Sequence, residues 1–433
     1  MLAFPDIVAR RVFESEKGME NEVINGAWRD TCFTAFDLMR DNPEEGRKIA
    51  GFMLAEARAS RQPLPGAYAE LLFAFADFFD GDLPQAEPEF DRTVTMFELL
   101  DDSLGIAFSL LGTVAVWRRH GRNQQAYSLC HSRILPILPE GDHPLTVLVL
   151  NILGVLSQEL GFTGEAVQHL STALEQARKL GIDNRVSQIL ANLGEILYIS
   201  GHAEHAETLL TEASHIAAHS TEKWLAPFIS TMLALCKLAL DKYEDAYCAV
   251  AAYALDGERA HHTDDTSKAF CYSVAAYTLA KHGQLSKAGR LSDTAMLLLD
   301  SFEDKHLKPY SWWVSGHLHR CHRHYPEAIR DLRRAIEAAG DKGYVYTPLR
   351  ALKELAEIYA ELGEWEQAYR EQQRYIELCA IAHTRSNRIR NEIVPHLPHH
   401  ESGAQYRRHA GDARDERPIG DDELLKLLYE RAI

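Results

Sequence analysis

VSQILANLGEILYISGHAEHAETLLTEASHIA, from Val186 to Ala217, is the stretch whose reading decides the fold. Its first half, Val186–Ile199, places Ile189, Leu190, Leu193, Ile196 and Leu197 on one stripe, the spacing of an amphipathic helix. Gly201 ends that helix, because glycine takes the left-handed conformation a helix C-terminus often needs. A second helix, from about Ala203 to Ala217, brings Ala206, Leu209, Leu210 and Ala213 to one face. Ala206 is read as a packing residue, since two helices of a hairpin approach closely only where a side chain is nearly absent.

The unit recurs along the chain. An alanine follows a turn glycine by five residues at Gly81…Ala86, Gly121…Ala126, Gly161…Ala166, Gly201…Ala206, Gly283…Ala288 and Gly363…Ala368. Asp41…Gly46, Asp241…Ala246 and Arg323…Ala328 fill the remaining places with altered chemistry at one end. The interval is 40 residues throughout, except for 42 between Ala246 and Ala288. A two-helix unit repeated at this period predicts an all-α fold, a right-handed α-solenoid of about nine helix-turn-helix repeats.

The repeats resemble the tetratricopeptide family, whose pattern is Trp-x2-Leu-Gly-x2-Tyr on the first helix and Ala-x3-Phe on the second. Leu190-x2-Leu193-Gly194-x2-Leu197 leads here to Ala206-x3-Leu210, and Leu150-x2-Leu153-Gly154 to Ala166-x3-Leu170. Trp312-x3-Gly316 leads to Ala328-x3-Leu332, Leu352-x2-Leu355-Ala356-x2-Tyr359 leads to Ala368, and Ala86-x3-Phe90 keeps the aromatic. A second small residue follows at Ala173, Ala213, Ala295 and Ala335. The resemblance covers roughly residues 27–380, and each unit is longer than the usual ~34 residues. Such long units look like the solenoids of bacterial signalling proteins: the sensor arm of maltose-type transcription activators, peptide-sensing quorum regulators, and repeats preceding diguanylate cyclases.

The expected organisation is an N-terminal helical cap over residues 1–26, a solenoid with a long last helix over 27–393, and a flexible tail over 394–433. Pro395 and Pro398 stop the last helix. Asp421–Ile433 reads as a short helix with Leu424, Leu425, Leu427 and Leu428 on its apolar side, a candidate contact for a homodimer.

Composition restricts the partners. A net charge of -17 disfavours direct nucleic-acid binding and docking on an anionic membrane. No secretory signal or membrane span is visible, and seven scattered cysteines read as small buried fillers, so the expected compartment is the cytoplasm. No phosphate loop, G-x-S-x-G elbow or H-E-x-x-H helix is present, which predicts no enzyme and no cofactor. In GHLHRCHRH, Gly316–His324, the spacing of His317, Cys321 and His324 could hold zinc. A hydrophilic helix end is the preferred reading, because a structural site wants four placed ligands. A metal-dependent enzyme or carrier is therefore the least favoured function.

The first helix of each hairpin lines the concave side of such a solenoid, and in the family these helices usually carry the ligand contacts. The register places Asn151, Gln158, Asn192, Glu195, Tyr198, Tyr277, Lys281, Trp313, His317, Arg320, Arg350 and Lys353 on or near that face. Amides pair with a peptide backbone, cations hold a carboxylate, and aromatic rings supply contact area. Trp312 takes the family's tryptophan position and is expected in the core, with Trp313 pointing to the groove. The expected function is a protein- or peptide-binding scaffold or adaptor in bacterial regulation. The alternative is a sensory regulator that binds a small molecule or signalling peptide and passes the change on through its C-terminal helix and tail.

Overall fold

The computed structural model describes residues 21–219, 224–255, 265–300, 308–339 and 346–392. Among them the fold is a chain of nine helical hairpins: α1 (Asn21–Met39) with α2 (Pro43–Ser60), α3 (Pro63–Asp80) with α4 (Leu83–Leu99), and α5 (Ser103–Arg119) with α6 (Asn123–Leu129). Next come α7 (Pro144–Glu159) with α8 (Thr163–Leu180), α9 (Asp183–Ile199) with α10 (Ala203–His219), and α11 (Leu225–Ala239) with α12 (Tyr243–Leu255). The last three are α13 (Asp265–Lys281) with α14 (Leu285–Asp300), α15 (Lys308–Cys321) with α16 (Tyr325–Ala339), and α17 (Tyr346–Glu361) with α18 (Trp365–Glu392). The fold is the all-α solenoid that the repeat predicts.

Each hairpin closes as its sequence requires. At Gly201 the backbone turns to φ 92°, and the amide of His202 reaches back to the carbonyl of Leu197 at 2.8 Å, capping α9. Asp241 and Arg323 take the same left-handed turn at φ 58° and 60°, where six other repeats have glycine. Ala86, Ala126, Ala166, Ala206, Ala246, Ala288 and Ala328 are fully buried between paired helices. Gly194 serves the same approach from the other side: a Cβ there would stand 2.6 Å from Cγ of Leu210.

The third hairpin departs from the pattern. Its second helix stops at Leu129 and passes through a π turn, Cys130–Ile134, into a 3-10 turn, Leu135–Ile137, where Pro136 removes a backbone donor.

The array coils tightly enough to touch itself. Beyond the end of α1, Arg40 donates to Gln188 of α9 at 3.4 Å, and its guanidinium lies 3.8 Å from the ring centroid of Trp224. Asp37 pairs with Arg185, and Asp41 accepts from the Trp224 amide at 2.8 Å. Farther along, Tyr198 of α9 stacks on Tyr346 of α17 at 4.8 Å. The inner wall is thereby partly converted into core.

Two sequence expectations are refined. Helix α1 starts at Asn21, inside the 1–26 segment assigned to a cap. The remainder of that segment, and the tail at 394–433 with its Asp421–Ile433 helix, lie outside the described residues. Cysteines 32, 130, 236 and 271 are buried fillers as expected, whereas Cys248 and Cys321 are exposed.

Candidate functional site

Contacts among α5, α7, α9, α11, α13, α15 and α17, the first helices of their hairpins, gather in two zones. In the first, Asn192 Nδ2 donates to Asn151 Oδ1 at 2.8 Å, tying α9 to α7. Nearby, Arg118 pairs with Glu159 at 2.6 Å. Burial raises the Glu195 carboxyl to about 7; Arg118 opposes the shift and Glu159 adds to it. Gln158 keeps its Oε1 buried without a hydrogen-bond partner in the protein.

The second zone centres on Arg350. Its guanidinium lies 5.1 Å from the ring centroid of Trp313 and 5.8 Å from that of Tyr277, and Nη2 donates to the Leu238 carbonyl at 3.3 Å. Burial disfavours its charge, but the surrounding tyrosines, Tyr198, Tyr277, Tyr310 and Tyr346, more than offset this and its pKa rises. Its Nη1, and the hydroxyl of Tyr310, one of those tyrosines, are buried with no hydrogen-bond partner in the protein. Helices from five successive hairpins, α9 to α17, thus converge on one cation.

Trp313 is the most buried of these groups, 1% exposed, while Trp312 is half-buried under the Arg334 guanidinium at 4.7 Å. This reverses the expected roles of the pair. Trp313 does face inward, but the coil brings Tyr277, Tyr310 and Arg350 over it, so it does not stand open to a groove.

Trp313 Nε1 donates to Glu354 Oε1 at 3.0 Å, and His317 Nδ1 lies 3.0 and 3.1 Å from the two oxygens of the same carboxylate. Arg320 pairs with Glu357 and, at 2.7 Å, with Glu361. Lys281 is exposed with its ammonium 5.1 Å from the Tyr277 ring centroid, and Lys353 is exposed on α17. Glu354 was absent from the sequence reading. It occupies in its repeat the register of Asn192, a correspondence legible once the 42-residue interval is counted in.

His317, Cys321 and His324 do not converge. His317 turns to Glu354, whereas His324 lies 6.1 and 6.0 Å from the rings of His319 and His322. Among the described residues, no group of three or more His, Cys, Asp or Glu side chains is placed to hold a metal ion. No helix among them is long and apolar enough to cross a membrane.

Comparison with known proteins agrees with the fold. Residues 138–218 match the family model of the tetratricopeptide repeat. No curated protein matches the sequence. Among solved structures, a Rap protein complexed with competence and sporulation factor superposes with a TM-score of 0.59 at 16% identity, over 83% of this chain and 99% of its own. The apo form of the quorum sensor NprR from B. thuringiensis gives 0.55 at 14% identity, over 83% and 99%. The Rap conjugation gene regulator of plasmid pLS20, in complex with the Phr* peptide, gives 0.52 at 15% identity, over 85% and 96%. At these identities the likeness is one of fold. Residues 138–218 thus carry the tetratricopeptide-repeat pattern, and the described residues on either side repeat the same two-helix hairpin in one all-α solenoid.

Proposed function

We propose that this solenoid is a regulatory scaffold that binds a peptide or a protein segment on its inner wall and carries out no catalysis of its own. The observation that carries the reading is Arg350. A guanidinium held near two aromatic rings, with one buried nitrogen lacking any protein acceptor and an unpaired Tyr310 hydroxyl among its surrounding tyrosines, suits a carboxylate. The Asn151–Asn192 pair supplies donors and acceptors suited to a peptide backbone along the same wall. The Rap and NprR structures, three of them solved with a peptide or factor, support a peptide as the ligand class.

The test is an array of random peptides presented with either a free C-terminal carboxylate or a C-terminal amide. Selective retention of the free acids, lost in Arg350→Met and weakened in Asn192→Ala, supports the reading. Equal retention of acids and amides, unchanged in both variants, removes it.

A second reading, a sensor passing its state to a partner, is favoured by the end of the array. On and beside α18, Trp365 is 70% and Tyr369 63% exposed, with Leu362 and Ile381 also exposed. Removing residues 394–433 distinguishes the routes: a downstream effect that survives unchanged excludes the tail as the output.

A further inference from the structure

Cys321 itself plays no part in the inner-wall site, although His317 and Glu354 beside it border that site. The three form a chain of contacts. Cys321 is exposed at the end of α15, with Sγ 3.7 Å from His317 Nε2 one turn back. His317 presents its other nitrogen to Glu354 at 3.0 Å, and Glu354 is held in turn by the Trp313 indole at 3.0 Å. Thiol, imidazole and carboxylate thus stand in series, with the carboxylate anchored in the core and the sulfur at the surface.

A cavity of 520 Å³ opens beside the sulfur, lined by His317, Arg320, Cys321, Arg323, Tyr325 and Glu361. Arg323 stands there because it takes the left-handed turn, φ 60°, that glycine takes at Gly283 and Gly363. A cation therefore occupies this rim at a conformational cost that glycine would avoid.

We propose that Cys321 is a modification site: its sulfur attacks small carboxylate-bearing disulfides drawn into the adjacent cavity and forms a mixed disulfide. The Cys321 thiolate attacks one sulfur of the small disulfide and a new S–S bond forms. The original S–S bond breaks and the second sulfur departs with its electron pair. The proton released from Cys321 passes through His317 to the departing thiolate, giving one protein mixed disulfide and one free small thiol. Cys321 is oxidised to the disulfide level by the small disulfide, which is itself reduced.

The electrostatics agree with the geometry. Burial pulls the His317 pKa down, but hydrogen bonds with Cys321 and Glu354 and the Glu354 charge push it up to about 9. The hydrogen bond from His317 holds the Cys321 thiol below its ordinary value against the effect of burial. From α13 the Lys281 charge acts in the same direction, and Glu354 of α17 opposes it. On α17, Glu357 and Glu361 pair with Arg320 and Glu354 pairs with His317, leaving Arg323 as the lining cation nearest an incoming carboxylate.

The exposed Cys248 is the reference within the same molecule. Full-length protein is treated with iodoacetamide, oxidised glutathione or 2-hydroxyethyl disulfide from about pH 5 to about pH 9, and each cysteine is followed by peptide mass spectrometry. The expected result is that Cys321 reacts roughly tenfold faster than Cys248 below neutral pH, with the rate levelling off at a lower pH. His317→Gln abolishes that advantage and leaves Cys248 unchanged. Oxidised glutathione outpaces the uncharged disulfide at Cys321, and Arg323→Gly erases the preference. Coincident pH profiles for the two cysteines in the wild-type chain, or no preference for the charged disulfide, would overturn the proposal. The wild-type comparison stands even if a variant fails to fold.

Discussion

Tyr198 and Tyr346 stack with ring centroids 4.8 Å apart and 27° between their planes, although one belongs to the fifth hairpin and the other to the ninth. The first and fifth hairpins meet in the same way: Arg40 donates to Gln188 across 148 residues, the separation that also divides Tyr198 from Tyr346. The coil thus repeats one closing contact every four hairpins, joining the end of one inner helix to the start of another. Arg350 sits inside the second closure, so a ligand that engages it acts on a contact holding the coil together.

The stack is therefore expected to couple to overall dimensions. Tyr198→Leu combined with Tyr346→Leu should give a coupling of about 1 kcal/mol in a double-mutant cycle. Small-angle scattering should show a larger radius of gyration with helix content unchanged. No expansion would mean that other contacts close the coil.

Arg61 takes a left-handed conformation, φ 57°, and is exposed. Replacing it with glycine removes the Cβ strain. Arg61→Gly should stabilise the chain by about 1 kcal/mol in urea unfolding, reduced by the greater freedom of glycine in the unfolded state.

At Gly194 an added Cβ would meet Leu210 Cγ at 2.6 Å. Gly194→Ala should cost ~1–3 kcal/mol through overpacking. Leu210→Ala made together with it relieves the clash, so the double variant should lose less than the sum of the single losses. Strict additivity would place the cost elsewhere.

Two groups predict that stability falls as pH rises. With Glu195 at about 7 against an ordinary 4.5, the folded chain keeps a proton that the unfolded chain has released. Stability therefore declines from about pH 4.5 to about pH 7. Glu195→Gln should flatten that decline and be more stable than wild type above pH 7, on the order of 2 kcal/mol once partial exposure is allowed for. His317, raised to about 9 from 6.5, contributes stability that is full below pH 6.5 and lost as pH rises through 9. His317→Gln should remove this second decline, as read from urea midpoints across the range.

The sequence by itself determined the hairpin and its period. Glycine at the αL turn, alanine at the close approach and the i, i+3, i+4 apolar stripe are local requirements, met within some thirty residues, so Val186–Ala217 declares them unaided. It also led to the expectation that the first helices of the hairpins carry the site, with Asn192, Tyr277, His317 and Arg350 among its residues. What it could not supply was the coil's tightness, because small rotations between neighbouring repeats accumulate over four hairpins before Tyr198 reaches Tyr346. The coiling brought Arg350 against the Leu238 carbonyl, while the adjacent helices α13 and α17 closed over Trp313 and made it core. The packing of α17 on α15 brought Glu354, a position that reads in sequence as one more helix carboxylate, to both Trp313 and His317. Those are contacts between helices of different hairpins, and only the tertiary structure decides them.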